Sequence, residues 1–481
     1  MAAARLDIGR IALALAFACV CLLFGLLSGH DPTLAIGGAL AIGFLIVAMS
    51  NLTAGLIAFA LLAFFALTPG AIGSLISAQA ASLVLALSWL ARIATRDSPS
   101  SLFWSRHPLI SWLSVAFLAW VALSSLWAES TGDTFTVLTQ YGLDMLLFLI
   151  VFEAVRAPAH AKGLLAALVA GGAMAAAYGI VAAPNVSDLA SSPTAASSLD
   201  RLRGTIADPN QLAAVLVVAL VLALALAAVT SSPVRRLLLL GAGGLALVSV
   251  FLTASRGGVV GLLAAMVTAI ALAGGRRGAA IALALALVCA SAIFVGLFDP
   301  GVAQRYSTSD GGNGRTDIWK VGWRMVEAHP VRGVGAGNFR DVSGQYLLVE
   351  PGAITASDQI IDEPHFAHNV YLEVLAELGV VGLALFMALV GAAIGTGIRA
   401  ARRFGRAGEA DMELLSRAVV VALVSLLAMD FFLSDQFSKQ LWLLLALCPA
   451  LLAIASTRAV ATSSESEPAR ASSEPALAPN A

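Results

Sequence analysis

Long uninterrupted apolar runs constrain this chain more than any other feature. The run from Leu212 to Val229, LAAVLVVALVLALALAAV, contains no charged residue, and comparable runs recur along most of the sequence. A helix of about 20 apolar residues crosses the hydrocarbon core of a bilayer. Only helices and closed barrels satisfy their backbone hydrogen bonds in lipid, and a barrel would show short alternating strands. The runs therefore predict an all-α polytopic integral membrane protein.

The composition agrees with this fold class and excludes several functions. Hydrophobic residues make up 59% of the 481 residues and charged residues only 12%, whereas a soluble domain carries about 25% charged residues. The net charge of −1 provides no positive field for nucleic acid. The four cysteines lie in apolar runs without metal-ligand spacing. We expect no metal site, no cofactor and no nucleic-acid partner.

The positions of the runs predict about 12–14 transmembrane helices. They lie near 11–28, 33–49, 51–67, 72–95, 108–127, 137–155, 163–183, 209–229, 235–253, 258–274, 278–297, 368–398, 413–433 and 438–457. We accordingly divide the chain into N-terminal transmembrane helices at 1–297, one large loop with short helices at 298–367, C-terminal transmembrane helices at 368–457 and a disordered tail at 458–481.

The distribution of positive charge predicts the orientation, because cytoplasmic loops carry an excess of Lys and Arg. With the N-terminus inside, 18 of the 28 Lys and Arg residues fall in inside connections and the tail. Both termini are then cytoplasmic, and the loop 298–367 lies outside. Nine of the ten outside charges are concentrated in the connection 184–208, the turn TASRGG at 253–258 and the loop 298–367.

The first of these places is RLRGTIADPNQLA at 201–213, where Arg201 and Arg203 precede a span. Asp208 or Asn210 can cap that span. The two arginines fit an ordinary turn, but their planar guanidinium groups also suit a phosphate at the membrane surface.

The second place is TASRGG, where Arg256 lies between two apolar runs without an acidic neighbour in sequence. An arginine at the membrane edge is costly unless it snorkels or finds a partner. Snorkelling is one interpretation. A partner elsewhere in the fold, or a ligand, is the other.

The third place is PHFAHNVYLEVLAELGVVGLALF at 364–386, where titratable groups begin an apolar span. If the helix begins near Asn369, then Asn369, Glu373 and Glu377 share one face. His368 lies at its start and His365 in the preceding loop. Carboxylates one and two turns into a span are expected to face the bundle interior or a wet cavity.

The large loop also contains a helical pattern, GRTDIWKVGWRMVEAHP, in which Trp319 and Trp323 share a face. Arg315 stands at its start. We weigh two placements equally, a helix at the membrane interface and a helix packed on the bundle.

Outward arginines with a histidine suit chemistry on a diphosphate-linked lipid. Arginine can stabilise the leaving diphosphate, and histidine can take the proton of an acceptor hydroxyl near neutral pH. No Cys, His or Asp cluster has metal spacing, so a metal-independent glycosyl transfer fits better than a metal-assisted one.

Four stretches of the chain resemble the O-antigen ligase and polymerase superfamily. They are RLRGTIADPNQLA, LTASRGG, GRTDIWKVGWRMVEAHPVRGVGAGNF and HNVYLEVLAELGVVGLALF, and they cover roughly 200–390 in the family's order. The longest outside loop directly precedes the HN helix, as in that family.

The resemblance implies transfer of a glycan from undecaprenyl diphosphate at the periplasmic face of the bacterial inner membrane. Carried over by motif, Arg201 and Arg256 would hold the donor diphosphate, and His368 would activate the acceptor hydroxyl. The resemblance makes Arg203 and Arg315 weaker candidates for the same anion site.

Three further residues are secondary candidates. His365 precedes the family motif, and Asn369 and Glu377 line the face that the HN helix turns inward. Glu377 matches the family's acidic position, where it can orient or pack rather than react.

Several functions remain open at this stage. The resemblance is to the ligase-named domain and favours a ligase, which would use lipid A core as acceptor. The alternative is a polymerase, which would use another lipid-linked glycan at the same site. A lipid-linked glycan flippase is an alternative of another class, although transporters bind near the midplane in related halves and no repeat is visible here. A structural scaffold has no specific feature in its favour.

Overall fold

The computed structural model describes residues 29, 32–64, 78–95, 102–182, 202, 204–206, 208–279, 281, 285, 287–288, 315–347 and 366–471. Every regular element within these ranges is helical. This result confirms the predicted all-α class.

The α-helices follow one another along the chain with short connections between most of them. They are α1 Pro32–Ser50, α2 Leu52–Leu62, α3 Ala78–Thr95, α4 Phe103–Arg106, α5 Pro108–Ser124, α6 Thr131–Ala154, α7 Pro158–Ala182, α8 Pro209–Val229, α9 Pro233–Leu252, α10 Arg256–Leu272, α11 Arg315–Ala328, α12 Phe339–Leu347, α13 Val370–Arg406, α14 Ala410–Met429 and α15 Lys439–Ala471. Short 3-10 turns lie at Gly274–Arg276 and Asp430–Phe432.

Seven of the described helices are long and apolar enough to cross a membrane, namely α6, α7, α8, α9, α13, α14 and the Lys439–Arg458 part of α15. Five shorter apolar helices, α1, α2, α3, α5 and α10, accompany them. The chain is therefore a multi-pass membrane protein. The predicted span 11–28 and most of the predicted span 278–297 lie outside the described residues, so the total number of spans stays a prediction.

Polar caps set the starts of several helices, because a side-chain oxygen satisfies backbone N–H groups that the first turn leaves unpaired. Asn51 separates α1 from α2 and accepts from the amides of Thr53 and Ala54. Asp208 caps α8, and Ser255 caps α10. Asp208 was one of the two caps that the sequence predicted for α8.

The structure describes only the first part of the tail that was predicted as disordered from 458, so that prediction stays open. Helix α15 continues past the predicted end of its span and stops only at Ala471. Extending an existing helix needs no new nucleus, so a polar segment can continue a stable span. Residues 472–481 lie outside the described residues.

The centre of the bundle is formed by α8 and α15, whose side chains are the most enclosed of the spanning helices. Helix α8 packs against α7, α9 and α14, whereas α15 packs against α6, α13 and α14. Small residues allow close approach between helices. Gly172 of α7 faces Ala219 of α8, and Gly397 of α13 faces Cys448 of α15.

Helix α13 is not continuous, although the sequence predicted one span over 368–398. Gly379 has φ 67° and ψ −173°, which divides α13 into the half Val370–Leu378 and the half that begins at Val380. This backbone region is accessible essentially only to glycine. The break also brings other main chain close, because a Cβ at Gly379 would lie 2.1 Å from the carbonyl oxygen of Val331.

The segment that follows α11 satisfies the backbone groups exposed by this break. The amides of Val334 and Gly335 donate to the carbonyls of Ala376 and Glu377 at 2.9 and 2.8 Å. Broken helices are tolerated at membrane depth where other protein groups pair with the freed backbone. Here the large loop supplies the pairing partners, so residues 330–335 are part of the bundle.

Two further bonds complete the seal around the break. Trp120 of α5 donates its indole N–H to the carbonyl of Leu378 at 2.8 Å, and the amide of Val380 donates to the carbonyl of Pro330 at 2.9 Å. The break is thus tied to α5 as well as to the loop.

A buried ion pair joins two helices that are far apart in sequence. Lys439, at the start of α15, donates to Asp144 in the middle of α6. Both residues are buried, and Asp144 has no exposed surface. The rings of Tyr141 and Phe437 lie next to this pair, with centroids 4.7 Å apart.

Candidate active site

The starts of α8 and α10 are joined by polar contacts at one end of the bundle. The Ser255 hydroxyl donates to the side-chain oxygen of Asn210 at 2.9 Å. Leu202 also donates its amide to the carbonyl of Leu252, just before the turn that leads to α10. The motifs RLRGTIADPNQLA and TASRGG, 45 residues apart at this contact, therefore meet in space.

The connection 433–438 between α14 and α15 is the second component of this end. Gln211 donates its side-chain N–H to Asp435 at 3.3 Å. Gln436 donates to Glu373 of α13 at 2.7 Å, and Ser434 donates to the same carboxylate. The connection thus links the first turn of α8 to the first turn of α13.

The start of α13 has the geometry that the sequence suggested. Asn369 is the N-cap, and its side-chain oxygen accepts from the amide of Leu372 at 3.1 Å. Half-buried His368 directly precedes it, in the left-handed region with φ 47°. That conformation is uncommon for a residue other than glycine and occurs often at functional positions.

The two glutamates of α13 are buried, as their predicted inward face requires. The carboxylate of Glu377 accepts from the amides of Phe339 at 3.1 Å and of Gly337. Glu373 accepts from the amide of Ala367 at 3.3 Å, besides its bonds to the connection 433–438. Glu377 thus fixes the main chain at 337–339, and Glu373 fixes the main chain just before His368. These contacts are typical of side chains that orient a site and do not react.

Helix α11 packs on the bundle, which was one of the two placements weighed for it. Its buried Gly322 leaves room for Leu372 of α13. Trp319 donates its indole N–H to the carbonyl of Ala367 at 3.0 Å, next to His368. Trp323 is instead 55% exposed, so the two tryptophans do not share one buried face.

Arg315, at the start of α11, faces the same region as the two motifs. Burial lowers its pKa; nearby Asp208 raises the pKa and nearby Arg256 lowers it. Asp208 and Arg256 are therefore close enough to Arg315 for their charges to act on it. Arg256 itself is exposed at the first position of α10. The arrangement presents two guanidinium groups beside one carboxylate.

Asp435 adds a titratable group that the sequence did not single out. Burial raises its pKa to about 7, and the negative charge of Asp208 acts in the same direction, whereas Ser438 and Lys439 lower it. A carboxyl group with such a pKa can both accept and donate hydrogen bonds near neutral pH.

We call this region the polar layer and define it by Asp208, Asn210, Gln211, Ser255, Arg256, Arg315, Trp319, His368, Asn369, Glu373, Asp435 and Gln436. Of the candidates from the sequence, it contains Arg256, Arg315, His368 and Asn369, and Glu377 lies one turn beyond Glu373. Arg201, Arg203 and His365 lie outside the described residues, so their positions stay predictions.

Sequence reasoning missed Gln211, Asp435 and Gln436. Gln211 stands inside the quoted motif, where its side chain was not assigned a role. The connection between the last two spans, SDQFSK at 434–439, is polar between two apolar runs, and that contrast was a usable signal. In the described part of the chain, no group of three or more His, Cys, Asp and Glu residues is arranged to hold a metal ion.

Comparison with known proteins gives a family match and a related protein. Residues 241–387 match the O-antigen ligase family. An O-antigen ligase of Pseudomonas aeruginosa is 34% identical over 145 residues, which are 30% of this chain and 30% of that relative. The family match includes Arg256, Arg315, His368 and Glu377, and it excludes Arg201 and Arg203.

Proposed function

We propose that this chain is a membrane glycosyltransferase of the O-antigen ligase and polymerase type, on the basis of its matches to the O-antigen ligase family and to the Pseudomonas aeruginosa ligase. It moves a glycan from undecaprenyl diphosphate onto an acceptor hydroxyl. We further propose that it works in the bacterial inner membrane, with the polar layer facing the periplasm.

The convergence of separate motifs is the observation that carries this proposal. Arg256, Arg315 and His368 stand at or just before the starts of three helices that begin in one polar layer, although more than 100 residues separate the first from the last. Two guanidinium groups and one histidine in the same polar layer are suited to a diphosphate leaving group and an acceptor hydroxyl.

The proposed step assigns each group one task. His368 takes the proton of the acceptor hydroxyl, whose oxygen attacks the anomeric carbon of the donor glycan. The bond from that carbon to the diphosphate breaks, and undecaprenyl diphosphate leaves with the electron pair. Arg201 and Arg256 hold the leaving diphosphate, with Arg203 and Arg315 in support. Glu377 holds the main chain that frames this site.

The start of α13 favours a base at His368. The helix N-terminus carries partial positive charge and so disfavours an imidazolium ion. A neutral imidazole can accept a proton near pH 7.

The name of the Pseudomonas aeruginosa relative favours a ligase, which would use lipid A core as acceptor. A polymerase would use a second lipid-linked glycan at the same residues. The identity of the acceptor alone separates the two, so the assay must offer both.

The test is glycan transfer by the purified protein in nanodiscs, with undecaprenyl-diphosphate-linked glycan as donor. Lipid A core or a second donor molecule serves as acceptor, and donor binding is measured on the same samples. His368→Ala should abolish transfer and leave donor binding nearly intact, because the arginines supply most of that binding. His365→Ala should cost less.

His160→Ala is the matched control, because His160 lies at the start of α7, outside the polar layer. It should transfer at the wild-type rate, and EDTA should leave the wild-type rate unchanged. Normal transfer by His368→Ala, or its failure through lost donor binding, would remove His368 as the base. If the wild-type protein transfers glycan to neither acceptor, the proposed function is overturned.

A further inference from the structure

An apolar cavity in the bundle lies away from the polar layer. It has a volume of about 330 Å³ and is lined by α8, α10 and α14, together with Ala279 and Leu287 beyond α10. Its α8 residues run from Val221 to Ala228, whereas the polar layer contacts α8 at Asp208 to Gln211. At 1.5 Å per residue the two regions are about 15–25 Å apart along α8. The cavity therefore belongs to the opposite half of the membrane.

The wall of this cavity is suited to a hydrocarbon chain. Small or flexible side chains such as Ala225, Ala269 and Met266 form most of it. Small-molecule sites have volumes of about 300–1,000 Å³ and mostly apolar walls. A single alkyl chain fits this description better than a polar ligand does.

One charged group, Arg417 of α14, stands in the lining. Its guanidinium donates to the carbonyl of Ala273 at 3.2 Å and to the carboxylate of Glu413. A guanidinium has five N–H donors, so these two bonds leave donors for a further acceptor. The charge lies where α10 ends, beside Gly274.

Other arginines make the same end of the bundle positive. Arg235 and Arg236 are exposed at the start of α9, directly after α8 ends, and Arg277 is exposed just beyond Gly274. Glu413 offsets one positive charge. An anionic headgroup would complement this excess, and basic pockets between transmembrane helices bind such headgroups.

We propose that this cavity binds an anionic phospholipid of the leaflet opposite the polar layer, with an acyl chain between α8, α10 and α14 and its phosphate on Arg417. The site is independent of the proposed transfer reaction. The polyprenyl tail of a donor could occupy an apolar cavity too, but it would gain nothing from Arg417, because its diphosphate would lie at the other end of the bundle.

The test measures lipids that remain bound to the purified protein by native mass spectrometry. The protein is exchanged into detergent with phosphatidylglycerol, or with phosphatidylcholine of the same acyl chains. Wild-type protein should retain phosphatidylglycerol at least about tenfold better, which is a difference of about 1.4 kcal/mol. Arg417→Gln should remove this preference, whereas Glu413→Gln should preserve or increase it.

A second variant tests the cavity rather than the charge. Ala269→Phe fills the space and should lower the retention of both lipids. Leu263→Phe is its control, because Leu263 lies on the same helix with a 50% exposed side chain. Arg402→Gln removes an exposed arginine of α13 outside the cavity lining, and both controls should behave as wild type.

Two results would overturn the proposal. One is equal retention of the two lipids by the wild-type protein. The other is undiminished phosphatidylglycerol binding in Ala269→Phe. Displacement of the bound lipid by undecaprenyl phosphate, with no effect of Arg417→Gln, would assign the cavity to a polyprenyl tail instead.

Discussion

At the scale of single residues, the proposed role of Arg256 depends on shape as well as charge. Arg256 begins α10 and is exposed, so a lysine fits there without disturbing the core. Lysine keeps the positive charge but lacks the planar pair of donors that matches a diphosphate.

We therefore expect Arg256→Lys to lower the transfer rate by about 10²-fold or more, with normal insertion and expression. Arg402→Lys, at the far end of α13, should leave the rate unchanged. The measurement is the initial rate of transfer with purified protein, normalised to folded protein. Full activity of Arg256→Lys would mean that Arg256 extends to the membrane surface without a specific role in holding the diphosphate.

His107 carries a different kind of prediction, which concerns stability. It lies between α4 and α5, and its ring packs against Phe103 and Phe152 with centroids 5.2 and 5.7 Å away. Its Nε2 is buried and has no hydrogen-bond partner among the described residues. Burial lowers the pKa of His107 to about 4, and the positive charges of Arg399 and Arg106 act in the same direction.

The folded protein thus holds His107 neutral, whereas the unfolded chain binds a proton at pH about 6.5. The free energy of unfolding does not depend on the protonation of His107 above pH 6.5. As the pH falls from 6.5 towards 4, protonation of the unfolded chain lowers this free energy by up to about 3 kcal/mol. The melting temperature of the wild-type protein should fall between pH 7.5 and pH 5. His107→Leu should show a smaller fall and His160→Leu an unchanged one; equal falls in all three would contradict the assignment.

At the scale of elements, the break in α13 gives a sharp mutational test. Gly379→Ala must adopt φ 67° and places its Cβ 2.1 Å from the carbonyl oxygen of Val331. The backbone strain alone costs about 1–3 kcal/mol, and the clash adds to it. We expect a clearly lower melting temperature and partial loss of folded protein.

Gly391→Ala is the control on the same helix. A Cβ at Gly391 meets no atom within 4 Å, and alanine is favoured over glycine in a helix interior by about 0.8–1.0 kcal/mol. This variant should be as stable as wild type or more stable, by thermal unfolding in detergent. Equal stability of Gly379→Ala and Gly391→Ala would mean that α13 is continuous.

The elements also show which features a sequence can predict. Asn369 and Asp208 are local signals, because a cap bonds to amides within its own first turn. The sequence predicted Asp208 as one of two possible caps and a helix start near Asn369. The burial of Glu373 and Glu377 followed from the cost of a carboxylate in lipid. The break at Gly379 was missed because its partners, Val334 and Gly335, come from a distant loop whose pairing leaves no local pattern.

Long-range pairs were missed for the same reason. Asp144 is the one charge in the middle of an apolar run, and Lys439 was the one outside charge without a place among the three concentrations. Each unusual charge can be recognised in the sequence, but the sequence does not show that the two residues pair. The fold brings them together across 295 residues.

That pair should show strong energetic coupling. Removing one partner leaves an uncompensated buried charge, which costs about 3–5 kcal/mol. Asp144→Leu and Lys439→Met should therefore each destabilise the protein strongly, whereas the double variant should cost less than either alone. A double-mutant cycle on melting temperatures measures this coupling, and additive costs would contradict a direct pair.

At the scale of the whole molecule, the bundle has two chemically different ends. The polar layer contains the starts of α8, α10 and α13. The other end has exposed arginines at the start of α9, beyond α10 and at the end of α13. The orientation of the bundle in the membrane therefore determines which leaflet the polar layer faces and which leaflet the cavity at Arg417 faces.

The orientation itself is the last prediction, and it rests on the excess of Lys and Arg in connections assigned to the cytoplasm. A reporter fused at Gly312, in the loop 298–367, should be active only if that reporter works in the periplasm. A fusion after Arg156, between α6 and α7, should behave in the opposite way, and so should one at the C-terminus. Periplasmic and cytoplasmic reporters at all three positions give the measurement. Cytoplasmic activity at Gly312 would put Arg256 and His368 on the face without lipid-linked donor and would end the proposed mechanism, whatever the outcome for lipid binding at Arg417.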